Sequence, residues 1–114
     1  MLSLKNRLKK EKDFERVFKQ GKAAKNALFF LKGLDTGSAN TRFGFIVSKK
    51  VSKKAVIRNK AKRWMRVIAR ENLPKIKKGY DIIITAYPKI AGADINEARK
   101  EIGNLFSKAG LFKQ

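Results

Sequence analysis

Hydrophobic positions in this chain repeat with two different periods, and the switches between them mark out its elements. Phe14, Val17 and Phe18 share one face of a short helix over residues 14–20, with Asp13 placed to cap its start and Gly21 to stop its end. Residues 26–34 contain Leu28, Phe29, Phe30 and Leu31, an apolar run of strand length, and the polar cluster at 35–40 reads as a turn. Residues 41–48 alternate, with Phe43, Phe45 and Val47 on one side and Arg42, Gly44, Ile46 and Ser48 on the other. Adjacent in sequence and joined by a turn, these two strands are expected to pair as an antiparallel hairpin.

The helical period returns over residues 52–71, with Ser52 as the expected N-cap and Pro74 just beyond the end. Ile57, Ala61, Trp64, Met65 and Ile68 fall on one arc of this helix of about five turns. Residues 80–87 are the most hydrophobic segment and predict a central strand ended by Pro88. Asp94 and Glu97 have the spacing of a capping box and open a last helix that turns Ile95, Ala98, Ile102, Leu105 and Phe106 inward, ends near Gly110 and leaves Leu111 and Phe112 as a tail. Residues 1–10 form a basic arm with little reason to be ordered alone. The order α-β-β-α-β-α predicts an α+β fold, a single-domain α-β sandwich of residues 1–114 in which helices cover a mixed sheet.

Charge changes this picture most on the helix at 52–71. It carries eight lysines and arginines and no acid before Glu71, and Arg58, Lys62, Arg66 and Arg70 repeat at i,i+4. Like charges at that spacing oppose a helix, and Lys53 and Lys54 sit at the end where the helix dipole disfavours cations. Local rules broken this consistently point to a functional surface, a ridge of cations opposite the apolar arc. The whole chain repeats the statement, with 29 Lys and Arg against nine Asp and Glu and a net charge of +20. Such a surface attracts polyanions, releases their counterions and repels itself, so bound anions should favour the compact state.

The same composition narrows the chemistry. A protein-borne nuclease site needs a general base or clustered carboxylates. The chain has no histidine and no cysteine, and most of its acids sit where helix capping or turns explain them; Asp81, on the central strand, is the exception. No phosphate-cradling glycine loop is present, no basic start is followed by an apolar signal core, and no apolar run is long enough to span a bilayer, so a cytoplasmic location is expected. A basic ridge accompanied by aromatics suits single-stranded RNA, which is held by cations and by rings on which bases stack. Phe14 and Phe18 are candidates for that stacking; Phe45 and Phe106 read as core.

Residues 54–66, Lys-Ala-Val-Ile-Arg-Asn-Lys-Ala-Lys-Arg-Trp-Met-Arg, resemble the signature of the bacterial ribonuclease P protein subunit, and the likeness extends through Asn6 to Lys10, Asp13 to Lys19, Arg42 to Lys50 and Tyr80 to Ile84. The resemblance implies an uncommon left-handed β-α-β crossover around the basic helix, where general topology rules favour the right hand. It also implies a protein that assists a catalytic RNA in removing 5′ leaders from precursor tRNA. Chemistry would be carried by the RNA and the Mg2+ it requires, with no cofactor bound stably by the protein, no protein-borne active site, no membrane and no obligatory protein partner.

Position by position, the resemblance assigns Lys53, Lys54, Arg58, Asn59, Lys62, Arg63, Arg66 and Arg70 to the catalytic RNA. It assigns Phe14, Phe18, Lys32, Phe43, Lys49, Lys50 and Phe112 to a cleft that holds the leader. Lys32 stands where some relatives have an aromatic residue and Phe112 where some have tyrosine, so leader binding here should lean on charge more than on stacking. Three competing readings predict other behaviour: a ribosomal-protein-like binder of ribosomal RNA, a DNA-compacting protein that prefers duplex, and an autonomous nuclease that cleaves with magnesium alone.

Overall fold

Ile82, Ile83 and Ile84 are consecutive and all buried, so their strand must be covered on both faces. In the computed structural model, which describes residues 2–114, that strand is the interior of a four-stranded sheet. The elements are α1 (Glu11–Gln20), β1 (Lys22–Lys25), β2 (Phe29–Asp35), β3 (Arg42–Ile46), α2 (Ala55–Asn72), β4 (Tyr80–Ala86) and α3 (Ile95–Lys108). The sheet order is β1-β2-β4-β3, with β1–β2 and β2–β4 antiparallel and β3–β4 parallel. This is the expected α+β architecture with a mixed sheet, and α2 is the crossover between the parallel pair.

Two strand expectations are corrected. The hairpin expected between β2 and β3 does not form, because β4 inserts between them and takes a ladder from each. The real hairpin is β1–β2; Lys22-Ala-Ala-Lys25 has no β-branched or aromatic residue to announce a strand and is held extended by its pairing. The helix starts shift as well. α1 begins at Glu11, so Asp13 lies inside its first turn, and Lys10 at the cap position makes no side-chain cap bond. α3 starts as expected, with Asp94 Oδ1 accepting from the Glu97 amide at 2.8 Å.

The larger core lies between one sheet face and the two long helices, where Phe29, Leu31, Phe43, Ile82 and Ile84 meet Met65 and Ile68 of α2 and Ile102, Leu105 and Phe106 of α3. The smaller core lies under α1 and joins Val17, Leu8 and Ile83. Leu8 belongs to the basic arm, which is laid down rather than loose over its described residues. Arg7 bridges Phe43 in parallel, the Leu8 amide donates to the Phe43 carbonyl at 2.9 Å, and the buried Asn6 amide donates to the Thr41 carbonyl at 2.8 Å. Met1 lies outside the described residues. Leu8 and Asn6, unremarkable in a basic sequence, are both buried once the arm lies along the edge of β3.

One ion-pair cluster fixes α1 to the sheet. Asp81, fully buried on β4, accepts from Arg42 Nε at 2.9 Å and from Arg42 Nη2 at 2.7 Å, while Arg16 of α1 approaches it at 3.4 Å. Arg42 also reaches Asp13 of α1 at 3.5 Å, and its hydrogen bond to Asp81 holds its proton even more firmly than usual. The acid that the sequence left unexplained is therefore a structural anchor. On the far side of the fold Arg99 of α3 binds Glu71 of α2 at 2.9 Å, and that hydrogen bond keeps the Glu71 carboxyl below its ordinary range.

Candidate nucleic-acid interface

The hydrophobic arc of α2 sets which side of the helix meets solvent. Ala61, Met65, Ile68 and Ala69 are buried, with Ile57 and Trp64 at the margin, so Lys54, Asn59, Arg63, Arg66 and Arg70 are exposed and Arg58 and Lys62 half-exposed. Among the described residues, no carboxylate lies within ion-pair distance of any cation on this face. The N-terminus departs from expectation. Ser52 is not the cap; its hydroxyl accepts from the Lys54 amide at 3.1 Å and closes a turn just before the helix. Arg58 Nη1 locks that turn by donating to the carbonyls of Ser52 and Lys53, both at 2.9 Å. The first amides of α2 thus have no side-chain cap, and they sit beside Lys53 and Lys54 where an anionic oxygen can take their place.

A second surface follows from the register on the α1 side of the sheet. Three rows cross it: Leu34–Asp81–Arg42, then Ala23–Lys32–Ile83–Gly44, then Lys25–Phe30–Thr85–Ile46. α1 lies over the first two, with Arg16 on Asp81, Val17 on Ile83 and Phe14 on Gly44, and its Phe18 carbonyl accepts from Lys32 Nζ. The third row stays partly exposed. Phe14 and Phe18, one turn apart on α1, thus stand as a wall beside a partly exposed floor of Phe30, Thr85 and Ile46, the strip of sheet where the expected cleft would lie. Lys49 and Lys50, exposed in the turn after β3, carry positive charge past the Ile46 end.

The family model described as Ribonuclease P matches residues 2–110 of this chain. The chain belongs to the ribonuclease P protein family. It is 41% identical over 106 residues to the ribonuclease P protein component of Alkaliphilus oremlandii, covering 93% of this chain and 92% of that one. It is 39% identical over 106 residues to that of Synechocystis, covering 92% and 86%. Among solved structures, the RNase P protein from Thermotoga maritima superposes with a TM-score of 0.81 at 35% identity, covering 90% of this chain and 96% of that one. The Staphylococcus aureus RNase P protein gives a TM-score of 0.87 at 28% identity, covering 95% and 98%.

Within this ribonuclease P protein fold, the residues expected in one cleft do not all meet. Phe14, Phe18 and Lys32 do. Phe43 does not: it is 2% exposed, because its side of β3 faces α3, where its ring lies 6.2 Å from that of Phe106. Phe112 is also on that opposite face, set edge-on against Phe106 at 5.9 Å and bridged through its backbone to Ile76. The floor residues Phe30, Thr85 and Ile46 were missing from the expectation; the alternation in 26–34 shows that Phe30 and Lys32 share a side, but only the register shows which partners lie beside them.

Gly44 sets the depth of the wall. A Cβ there would come within 2.5 Å of Phe14 Cζ, so Gly44→Ala is expected to push the ring off the strand. The ring stands at the edge and can swing outward, which limits the cost to about 1–2 kcal/mol. Shifted Phe14 ring resonances together with weaker binding of single-stranded RNA would confirm the displacement. A spectrum that keeps the Phe14 environment would refute it.

Proposed function

We propose that this protein binds the catalytic RNA of ribonuclease P through the cationic face of α2 and holds the 5′ leader of precursor tRNA in the cleft beside α1, so assisting endonucleolytic maturation of tRNA. The observation that carries the reading is the pairing of two surfaces on a ribonuclease P protein: a one-signed helix face with no acid against it, and an aromatic-walled cleft. Arg58, Arg63, Arg66 and Arg70 offer forked donors to phosphate oxygens, and Asn59 can donate and accept toward a base or ribose. In the cleft, Phe18 and Phe30 offer ring faces to unpaired bases, while Lys49 and Lys50 take the phosphates between them.

Catalysis is assigned to the RNA, and Mg2+ supplies its Lewis-acid chemistry there. Support for this assignment is that, among the described residues, no three Asp, Glu, His or Cys side chains gather in one place, and Asp81 and Asp13 are engaged by arginine. The protein then acts by raising local positive charge and by positioning the leader.

The deciding experiment is cleavage of a precursor tRNA by a bacterial ribonuclease P RNA at low magnesium, with and without the protein. Stimulation is expected, falling sharply when the leader is trimmed to one nucleotide, with no cleavage by protein alone. Absence of stimulation with a cognate RNA refutes the role, and cleavage by protein alone refutes the RNA-borne chemistry.

A further inference from the structure

A cavity of about 160 Å³ opens where the arm leaves the edge of β3. The arm pairs with β3 only as far as Phe43, then turns away toward α1, while β3 runs on through Gly44 and Phe45. Arg7 and Lys9 of the arm and Arg66 of α2 line the space, and no acid does. Its walls include Phe14 from one face of the sheet and Phe45 from the other, the latter stacked on Phe43 with rings 6.2 Å apart and 4° from parallel. A chain of net charge +20 lines other hollows with cations too, as at Lys5, Lys78 and Lys113; this one sets its cations beside two phenylalanine rings, and their mutual repulsion opposes the fold. An occupant that is anionic at one end and flat and apolar at the other offsets that repulsion. The volume suits a single ring, as an apolar cavity of about 150 Å³ accepts one benzene.

We infer that this cavity is a nucleotide pocket, which takes one unpaired nucleotide with its phosphate on Arg7, Lys9 and Arg66 and its base against Phe14 and Phe45. Arg7 is set for this, because its Nε is spent on the Leu2 carbonyl at 3.0 Å and fixes the direction of its remaining fork. The pocket adjoins both larger surfaces, since Arg66 belongs to the α2 face and Phe14 to the cleft wall. It rests on the functional reading above only in taking RNA as the natural source of the nucleotide.

The test is an NMR titration of the full chain with uridine 5′-monophosphate, uridine and inorganic phosphate. The monophosphate is expected to bind saturably, with amide shifts concentrated at Arg7, Gly44 and Phe45, at least tenfold more tightly than either fragment. Lys9→Ala with Arg66→Ala is expected to weaken it at least tenfold. Neither side chain makes a hydrogen bond among the described residues, so the spectrum should otherwise stay that of the folded protein. Lys89→Ala, remote from the cavity, should leave affinity unchanged. Equal binding of phosphate and nucleotide, shifts scattered over the basic surface, or an unaffected double variant would each overturn the pocket. If the pocket fails while cation removal on α2 still weakens binding of the catalytic RNA, the inference falls alone and the proposed function stands.

Discussion

Asp81→Ala is expected to cost the fold about 3 kcal/mol, a large share of the 5–15 kcal/mol typical of a domain. The substitution removes the partner that Arg42 meets with two short bonds and leaves its guanidinium to the longer 3.5 Å contact with Asp13. Arg42 is partly exposed, so water recovers some of the loss, which places the cost at the low end of the range for broken buried pairs. In urea the midpoint should fall by about 1 M or more. Asp81→Asn keeps the shape and one acceptor and should lose less. Arg16→Ala should lose least, because its contact is 3.4 Å long and its side chain is 44% exposed. A midpoint for Asp81→Ala within about 0.3 M of the parent would show that α1 is held by apolar packing instead.

Replacing Lys62, Arg63 and Arg70 together by alanine should weaken binding of the catalytic RNA by about two orders of magnitude at moderate salt. The slope of log affinity against log salt should flatten by roughly two units, at about 0.7–0.9 per lost phosphate contact. Arg58 is left in place because it holds the turn before α2, and Arg66 because it also lines the cavity at β3. The free protein should not suffer. Removing Lys62 and Arg70 relieves the like-charge spacing on either side of Arg66, so thermal stability should hold or rise slightly. Stability up and affinity down is a combination that loss of structure cannot produce. Unchanged affinity and slope would remove this face from the interface.

How much was legible in the sequence depended on whether a residue's neighbours were local. The one-signed face of α2 was readable because i,i+4 spacing determines it, and so was the division of β3 into Phe43, Phe45 and Val47 against Arg42, Gly44 and Ile46. Periodicity says which residues share a face but not what covers that face, which is why Phe43 passed for a cleft residue and proved to be core. Strand order was hidden for a related reason. Chain adjacency argued for pairing β2 with β3, whereas the central position went to the strand with most apolar surface to bury. The cleft floor is a row across β2, β4 and β3, and a row exists only once register is set. The arm shows the limit of composition: Leu8 and Asn6 look dispensable among lysines, yet both are buried.

The arm has one more consequence, for how copies of this protein avoid one another. A sheet with free edges invites a second sheet to add on, and a net charge of +20 keeps copies apart only while that charge is unneutralised. A bound polyanion would remove much of that repulsion. What remains is steric: β1 is four residues long with a lysine at each end, and the opposite edge, at β3, is occupied at Phe43 by the arm. A chain shortened by its first nine residues would therefore bare the longer edge, and its tendency to aggregate would appear when the cations are covered.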